Sequence, residues 1–260
     1  YIAVYGQRNL EANKNYAIQE KIIEQLPKGA ELINLNNCNY SGEILSIDID
    51  NDGVLEIFCG YKYNNKPYIS IFRERAGILK LIDTIEGEGY DLSDFSISKL
   101  KAKGLKNILI GWKIDSMWSV LNIYELKGNN LTSVLQDGSI KYSKLELIDV
   151  DGKTNGLKDI ALWRHESGEA YKVEIYTLKG EVFEQTNKDD KKYFNKVEDY
   201  YNELINRTRE TPQYLYFLID AQYRAGKKKE ALSNIDRAIK HPRAYPSVEQ
   251  LKRLRKKINS

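Results

Sequence analysis

The chain has 260 residues, enough for one or two domains with a sizeable core. Lys and Arg number 40 against 37 Asp and Glu, and the net charge of +3 is too small to point to a polyanion partner through the field of the whole chain. No apolar run approaches the roughly 18 residues of a membrane-spanning helix, and two cysteines, Cys38 and Cys59, are too few for a disulfide scaffold.

The chain starts at Tyr1 rather than Met, so it reads as a fragment or mature form whose signal peptide or lipid anchor would stand upstream. Residues 9–26, "NLEANKNYAIQEKIIEQL", predict one amphipathic helix that stops before Pro27. Ile18, Ile22, Ile23 and Leu26 form its expected buried stripe. This N-terminal helical segment, residues 1–29, is expected to cover a sheet stack or one end of it.

A repeat of about fifty residues comes next. "GVLEIFCGY", "GLKNILIGW" and "GLKDIALWR" begin at Gly53, Gly104 and Gly156, which are 51 and 52 residues apart. A second landmark moves in step: "ISIFR", "LNIYE" and "VEIYT" place Ile71, Ile123 and Ile175 at intervals of 52. Two landmarks with one period mark an internal repeat. Each unit reads as four strands, a to d, with near-alternating apolar residues and a glycine in or near the turn into strand d (Gly77, Gly128, Gly180). The units are bounded at about 41–89, 90–140 and 141–187. Strand b is apolar on both faces: Ile57-Phe58-Cys59, Ile108-Leu109-Ile110, Ile160-Ala161-Leu162. A continuous apolar run means that both faces are covered, as in sheets stacked face to face. Cys59 takes the place of Ile110 and Leu162, so it reads as a buried thiol. A Cys38–Cys59 bridge would need Cα atoms within about 7 Å.

The segment between strands a and b in the first unit is "DIDNDGVLE". Asp48, Asp50 and Asp52 alternate, Gly53 permits a sharp turn, the Val54 carbonyl comes next, and Glu56 completes the set. Calcium takes six to eight oxygens from just such a loop. The other reading is an Asp/Asn/Gly turn whose carboxylates accept backbone N–H bonds. Both stand at this point. An EF-hand is excluded, because Cys59 stands where its last glutamate is required. The third unit keeps Asp149, Asp151, Asn155 and Asp159 but adds two residues and Lys153. The second has Ser96 and Ser98 with Lys101 and Lys103, and should be metal-free.

"DIDNDGVLEIFCG", "SISKLKAKGLKNILIG" and "DVDGKTNGLKDIALW" resemble the FG-GAP/VCBS repeats of integrin-α-like β-propellers, over residues 30–187. The resemblance implies three four-stranded antiparallel propeller-like blades. It also implies one bound calcium ion, held by Asp48, Asp50, Asp52, Val54 and Glu56. Propellers of the family commonly close with more blades. "AELINLN" (30–36) aligns with a strand d and would complete the last unit in a closed ring. Otherwise the units form an open stack with capped ends.

Beyond "TNKDDKK" the apolar period changes from 2 to 3.6, and residues 188–260 read as a small helical domain. Helices are expected at about 193–208, 212–225, 227–240 and 246–258. Thr211 caps the second and Pro212 opens it. "PQYLYFLIDAQYRAGKKKEALSNIDRAIKHP" resembles one tetratricopeptide repeat. Leu218, Ala221, Tyr223, Gly226, Ala231, Ile235 and Ala238 fall at its packing positions, and Ile219 departs from it. The basic run Lys252, Arg253, Arg255, Lys256 and Lys257 reads as the solvated face of the last helix, without interleaved aromatics for base stacking.

No P-loop, dinucleotide fingerprint, G-x-S-x-G or H-E-x-x-H occurs. His165 and His241 lie far apart in sequence, and Trp112, Trp118 and Trp163 suit blade core or rim. The fold expected is mainly β with helical ends. The function expected is that of a non-enzymatic binding or scaffold protein outside the cytoplasm, resembling a bacterial lipoprotein ectodomain with a protein or glycan ligand. A carbohydrate-active hydrolase with loop carboxylates, or an intracellular tetratricopeptide adaptor, are the alternatives. Nucleic acid is not an expected partner, and membrane attachment would come from an anchor upstream.

Overall fold

A computed structural model of the protein describes residues 17–35, 42–101, 104–136, 138–149, 156–186, 190–208 and 210–259. Cys38, Lys103, Asp151, Lys153, Asn155 and the first half of the expected N-terminal helix lie outside the described residues. The chain forms two compact units, Tyr1–Lys141 and Tyr142–Ser260.

In the first unit, helix α1 covers residues 17–25. The first sheet contains β1 (Glu31–Leu32), β2 (Ile44–Ile47), β3 (Glu56–Tyr63), β4 (Lys66–Arg75) and β5 (Ile78–Glu86). Its order is β1-β3-β4-β5, with β2 also paired to β3, and the described pairings are antiparallel. The second sheet contains β6 (Asp91–Ser98), β7 (Asn107–Lys113), β8 (Ser119–Lys127), β9 (Asn130–Ser133) and β10 (Ile140–Tyr142). Its order is β10-β8-β7-β6, with β9 also on β8. Two sheets therefore carry five strands where the repeat predicts four, because one edge strand in each is split into two short pieces.

Residues 30–35 depart from the expected ring closure. They do not complete a distant unit: Glu31 pairs with Lys62 and Leu32 with Tyr61, so β1 extends the edge of the first sheet. Gly60 makes room for Ile33 and Leu35 just beyond β1. A Cβ there would lie 2.8 Å from Leu35 Cδ2 and 3.0 Å from the Ile33 carbonyl oxygen. Ile33 N–H donates to the Gly60 carbonyl at 2.9 Å.

The doubly apolar strand b is explained residue by residue. Phe58 of β3 joins Ile69, Ile71, Phe95, Ile108, Ile110 and Trp112 in a core shared by both sheets. The Phe58 and Phe95 rings lie 5.6 Å apart. Ile57 and Cys59 point the other way and pack with Ile22 of α1 and with Phe72. The helix thus covers the outer face of the first sheet, where each fully buried large side chain contributes roughly 1.5–3 kcal/mol. Ile18 and Leu26 are partly buried there. Ile23, expected in the stripe, is 47% exposed instead. One residue advances the helix by about 100° and turns Ile23 away from Ile22.

Cys59 is a free, fully buried thiol. Burial pushes its pKa from an ordinary 9.0 up to about 12, with Glu43 adding to the shift. Iodoacetamide at pH 8 is therefore expected to leave the Cys59 peptide unmodified in native protein and to label it fully in urea, as peptide mass spectrometry would show. The same shift has a stability consequence. From about pH 9 to 12 the unfolded chain gives up a proton that the native state keeps. Stability then falls with rising pH by up to about 1.4 kcal/mol per unit.

In the second unit the third sheet is a plain meander, β11-β12-β13-β14: β11 (Lys144–Asp149), β12 (Lys158–Ser167), β13 (Ala170–Lys179) and β14 (Val182–Gln185). Helices α2 (Lys191–Arg207), α3 (Pro212–Arg224), α4 (Lys228–Ile239) and α5 (Val248–Asn259) follow. Asp190 caps α2 by accepting from Tyr193 N–H at 3.0 Å, and Thr211 caps α3 by accepting from Tyr214 N–H at 3.2 Å. The change of period near 188 predicts a boundary after this sheet, yet the compact units divide before it. The reason is a continuous core. Ala161, Trp163, Tyr171, Val173 and Ile175 pack with Phe194, Val197, Tyr201, Leu218 and Ala221. Polar tips are satisfied within it: Trp163 Nε1 donates to Tyr193 Oη at 2.7 Å, and Tyr201 Oη accepts from Tyr171 N–H at 2.8 Å. The expected tetratricopeptide positions Ala221, Ala231, Ile235 and Ala238 are buried, as is the departing Ile219. The helices α2 and α3 are stabilised by docking on the third sheet.

Candidate functional site

The acidic segment is the loop from β2 to β3. The register places Ile47 opposite Glu56, which closes an eight-residue loop over residues 48–55. Asn51 and Gly53 take positive φ angles of 60° and 83° and turn the chain back within it. The loop then folds its carboxylates inward onto its own N–H groups. Asp48 Oδ2 accepts from Gly53 N–H at 3.1 Å, Asp50 Oδ1 from Asp52 N–H at 3.2 Å, and Asp52 Oδ1 from Val54 N–H at 2.7 Å.

Asp48, Asp50 and Glu56 come together, with ligand-type oxygens all within 4.8 Å of one another. Asp52 turns aside toward Arg75 at 3.4 Å, and Val54 enters through its N–H. The sequence pattern omits the group at the centre. Arg73 of β4 lies directly opposite Glu56 of β3. Its Nε donates to Glu56 Oε1 at 2.7 Å, and its Nη2 donates to the same oxygen and to Asp50 Oδ2 at 3.3 Å. Glu56 Oε2 accepts from Ile49 N–H at 3.0 Å. Glu56 is 0% exposed and Arg73 7%, so the pair is desolvated on both sides.

These residues do not fit a calcium ion as they stand. Both Glu56 oxygens and both Asp50 oxygens are engaged. Asp48 Oδ1, buried, is the loop carboxylate oxygen with no hydrogen-bond partner among the described residues. Calcium takes six to eight oxygens, and here all but one of the clustered carboxylate oxygens already accept an N–H bond or face the Arg73 guanidinium. A divalent ion would also stand beside a guanidinium. Two unit charges 4 Å apart interact by about 4 kcal/mol at an effective dielectric of 20, and a double charge meets about twice that.

The second loop also contains a side-chain cation, and in the third sheet one stands at the strand ends that flank the loop. In the second sheet Ser98 pairs with Asn107, as Ile47 pairs with Glu56 in the first. Lys101 then stands at the position of Asp50, and Glu125, opposite Asn107, at the position of Arg73. Lys101 Nζ lies 2.7 Å from Glu125 Oε2, with the two side chains 10% and 21% exposed. The Asp50–Arg73 contact thus has a counterpart of reversed polarity, while neutral Asn107 stands at the position of Glu56. In the third sheet Lys158 Nζ lies 2.5 Å from Asp149 Oδ1. Lys106, in the second loop, donates to the Asp48 carbonyl at 2.9 Å and ties the first two loops together.

Two further clusters lie away from the acidic loop. Tyr90 N–H donates to the Lys113 carbonyl at 2.9 Å, and Asp115 Oδ1 accepts from Met117 and Trp118 N–H, both at 2.8 Å. This ties Tyr90 (50% exposed), Met117 (38%) and the partly exposed Trp118 to one end of the second sheet. In the second unit Lys144 Nζ stands 4.1 Å from the Tyr171 ring, 5.1 Å from Tyr200 and 5.5 Å from Trp163. Burial lowers its pKa, and Glu169 and Glu146 oppose that shift. Trp112 and Trp163 are core residues, as their sequence setting indicates. His165 contacts the Gly168 carbonyl at 2.9 Å, and His241 Nδ1 accepts from Arg243 N–H at 3.1 Å. Arg255 pairs with Asp236 on the basic last helix.

No known protein family, curated protein or solved structure matches the chain.

Proposed function

We propose that the chain is a non-enzymatic binding protein of the cell exterior, with propeller-like sheets of FG-GAP type and a tetratricopeptide-like helical end, and that it engages a protein partner. The observation that carries the reading is the patch formed by Tyr90, Met117 and Trp118. Tyr, Trp and Met are enriched at the centres of protein interfaces. Here they sit on a link and a loop that are fixed by Asp115 and by the Lys113 carbonyl. They lie at the Lys113 end of β7, seven residues or about 20 Å from the Asn107 end where the a–b loop enters. The extracytoplasmic setting rests on the repeat resemblance.

The test places a photo-crosslinking residue at Met117 and, as a control, at Val182, in protein displayed on cells of the source organism. A discrete adduct from Met117 that is absent from Val182, and lost when Tyr90→Ala is added, is the expected result. Turnover of any substrate in a broad hydrolase screen, or adducts independent of Tyr90, would contradict the proposal.

A further inference from the structure

We infer that Arg73 is the built-in cation of the first acidic loop: its guanidinium holds the place a divalent metal would take, and the loop works without metal because of it. Three observations lead there. The guanidinium contacts two of the three clustered carboxylates, through Glu56 Oε1 and Asp50 Oδ2. It is nearly inaccessible, so it does not fluctuate freely in and out of the site. Most informative is the second loop, where the same two positions carry Lys101 and Glu125 in place of Asp50 and Arg73. A metal loop has no use for an acid on strand c and a base in the loop. An ion-pair latch accepts either polarity, since the attraction depends only on the product of the charges.

The latch links three segments: Glu56 starts β3, Asp50 lies in the loop, and Arg73 comes from β4. Arg73 Nη1 extends the link to Asn129 Oδ1 at 3.4 Å, in the turn between β8 and β9. A calcium ion would tie the loop to itself. The arginine ties it to the neighbouring strand and the neighbouring sheet. Delocalised charge and a planar fork of donors suit Arg to this buried, multidentate role.

Removing the guanidinium should uncover the metal site it replaces. Asp48 Oδ1 is already unpartnered, and Arg73→Gln would release Asp50 Oδ2 and Glu56 Oε1 beside it. Four proteins are compared by thermal melting and calorimetry, each in EDTA and in 5 mM calcium chloride: wild type, Arg73→Lys, Arg73→Gln, and Asp48→Asn/Arg73→Gln. Wild type and Arg73→Lys should melt at the same temperature in both buffers and give no heat of binding. Arg73→Gln should melt lower than wild type in EDTA and recover by about 5 °C or more in calcium. Adding Asp48→Asn should remove most of that recovery. An Arg73→Gln protein that is unfolded in EDTA and folded in calcium is the same result in stronger form. Two results would overturn the inference. One is calcium binding by wild type. The other is an Arg73→Gln protein, folded or unfolded, that is indifferent to calcium.

Discussion

Glu56→Ala is expected to destabilise the first unit by about 3–5 kcal/mol, the range for removing one partner of a buried ion pair. The mutation takes away the strongest contact of Arg73 and leaves its guanidinium desolvated, with Asp50 at 3.3 Å as its remaining carboxylate. It also strips Ile49 N–H of its acceptor, and an unsatisfied buried donor costs roughly 1–3 kcal/mol by itself. The two effects share one residue, so they are not simply added. Asp52→Ala is the matched control. Asp52 meets Arg75 at 3.4 Å, but Arg75 is 67% exposed at its side chain. Exposed pairs are worth about 0–1 kcal/mol. Urea melts of both variants should therefore differ widely, although both remove an acid from the same nine-residue stretch. Equal small losses would mean that Glu56 is solvated and that the latch is not formed.

Much of the architecture is legible in the sequence because the repeat states it three times. The period of about 52 residues locates β3, β7 and β12, and their central isoleucines Ile57, Ile108 and Ile160 are all buried. What escapes is whatever depends on tertiary partners. Both faces of strand b read as covered, but nothing local shows that α1 covers one face of β3 and the second sheet the other. The boundary at 188 follows a real change of period. The domain division follows packing instead, and Trp163 and Tyr171 bind the third sheet to α2. "AELINLN" matches a strand in pattern alone. Its partner is decided by Gly60, whose missing side chain admits Leu35 beside β3.

The candidate site was half legible. Alternating acids before a glycine, and Glu56 three residues after it, make the pattern, and of these Asp48, Asp50 and Glu56 converge. Arg73 is seventeen residues beyond Glu56 and looks like one charged residue among several in "RER". One signal would have found it. Asn64 and Asn65 both take positive φ, as a two-residue type I′ hairpin turn requires. That turn sets Tyr63 opposite Lys66, and counting back along the ladder sets Glu56 opposite Arg73. Hairpin register turns a sequence separation into a contact, and a motif read along one strand omits it.

Charge reversal at the second loop tests the latch most directly, because no metal reading applies there. Lys101→Asp places an acid against Glu125, and Glu125→Arg places a base against Lys101. Both side chains are partly buried, and each single change should cost about 2–4 kcal/mol. The double variant rebuilds the polarity of Asp50 and Arg73 at the equivalent positions. A double-mutant cycle by urea denaturation should give a favourable coupling of about 2–3 kcal/mol, with the double variant more stable than either single one. Additive losses, within about 0.5 kcal/mol, would contradict the account.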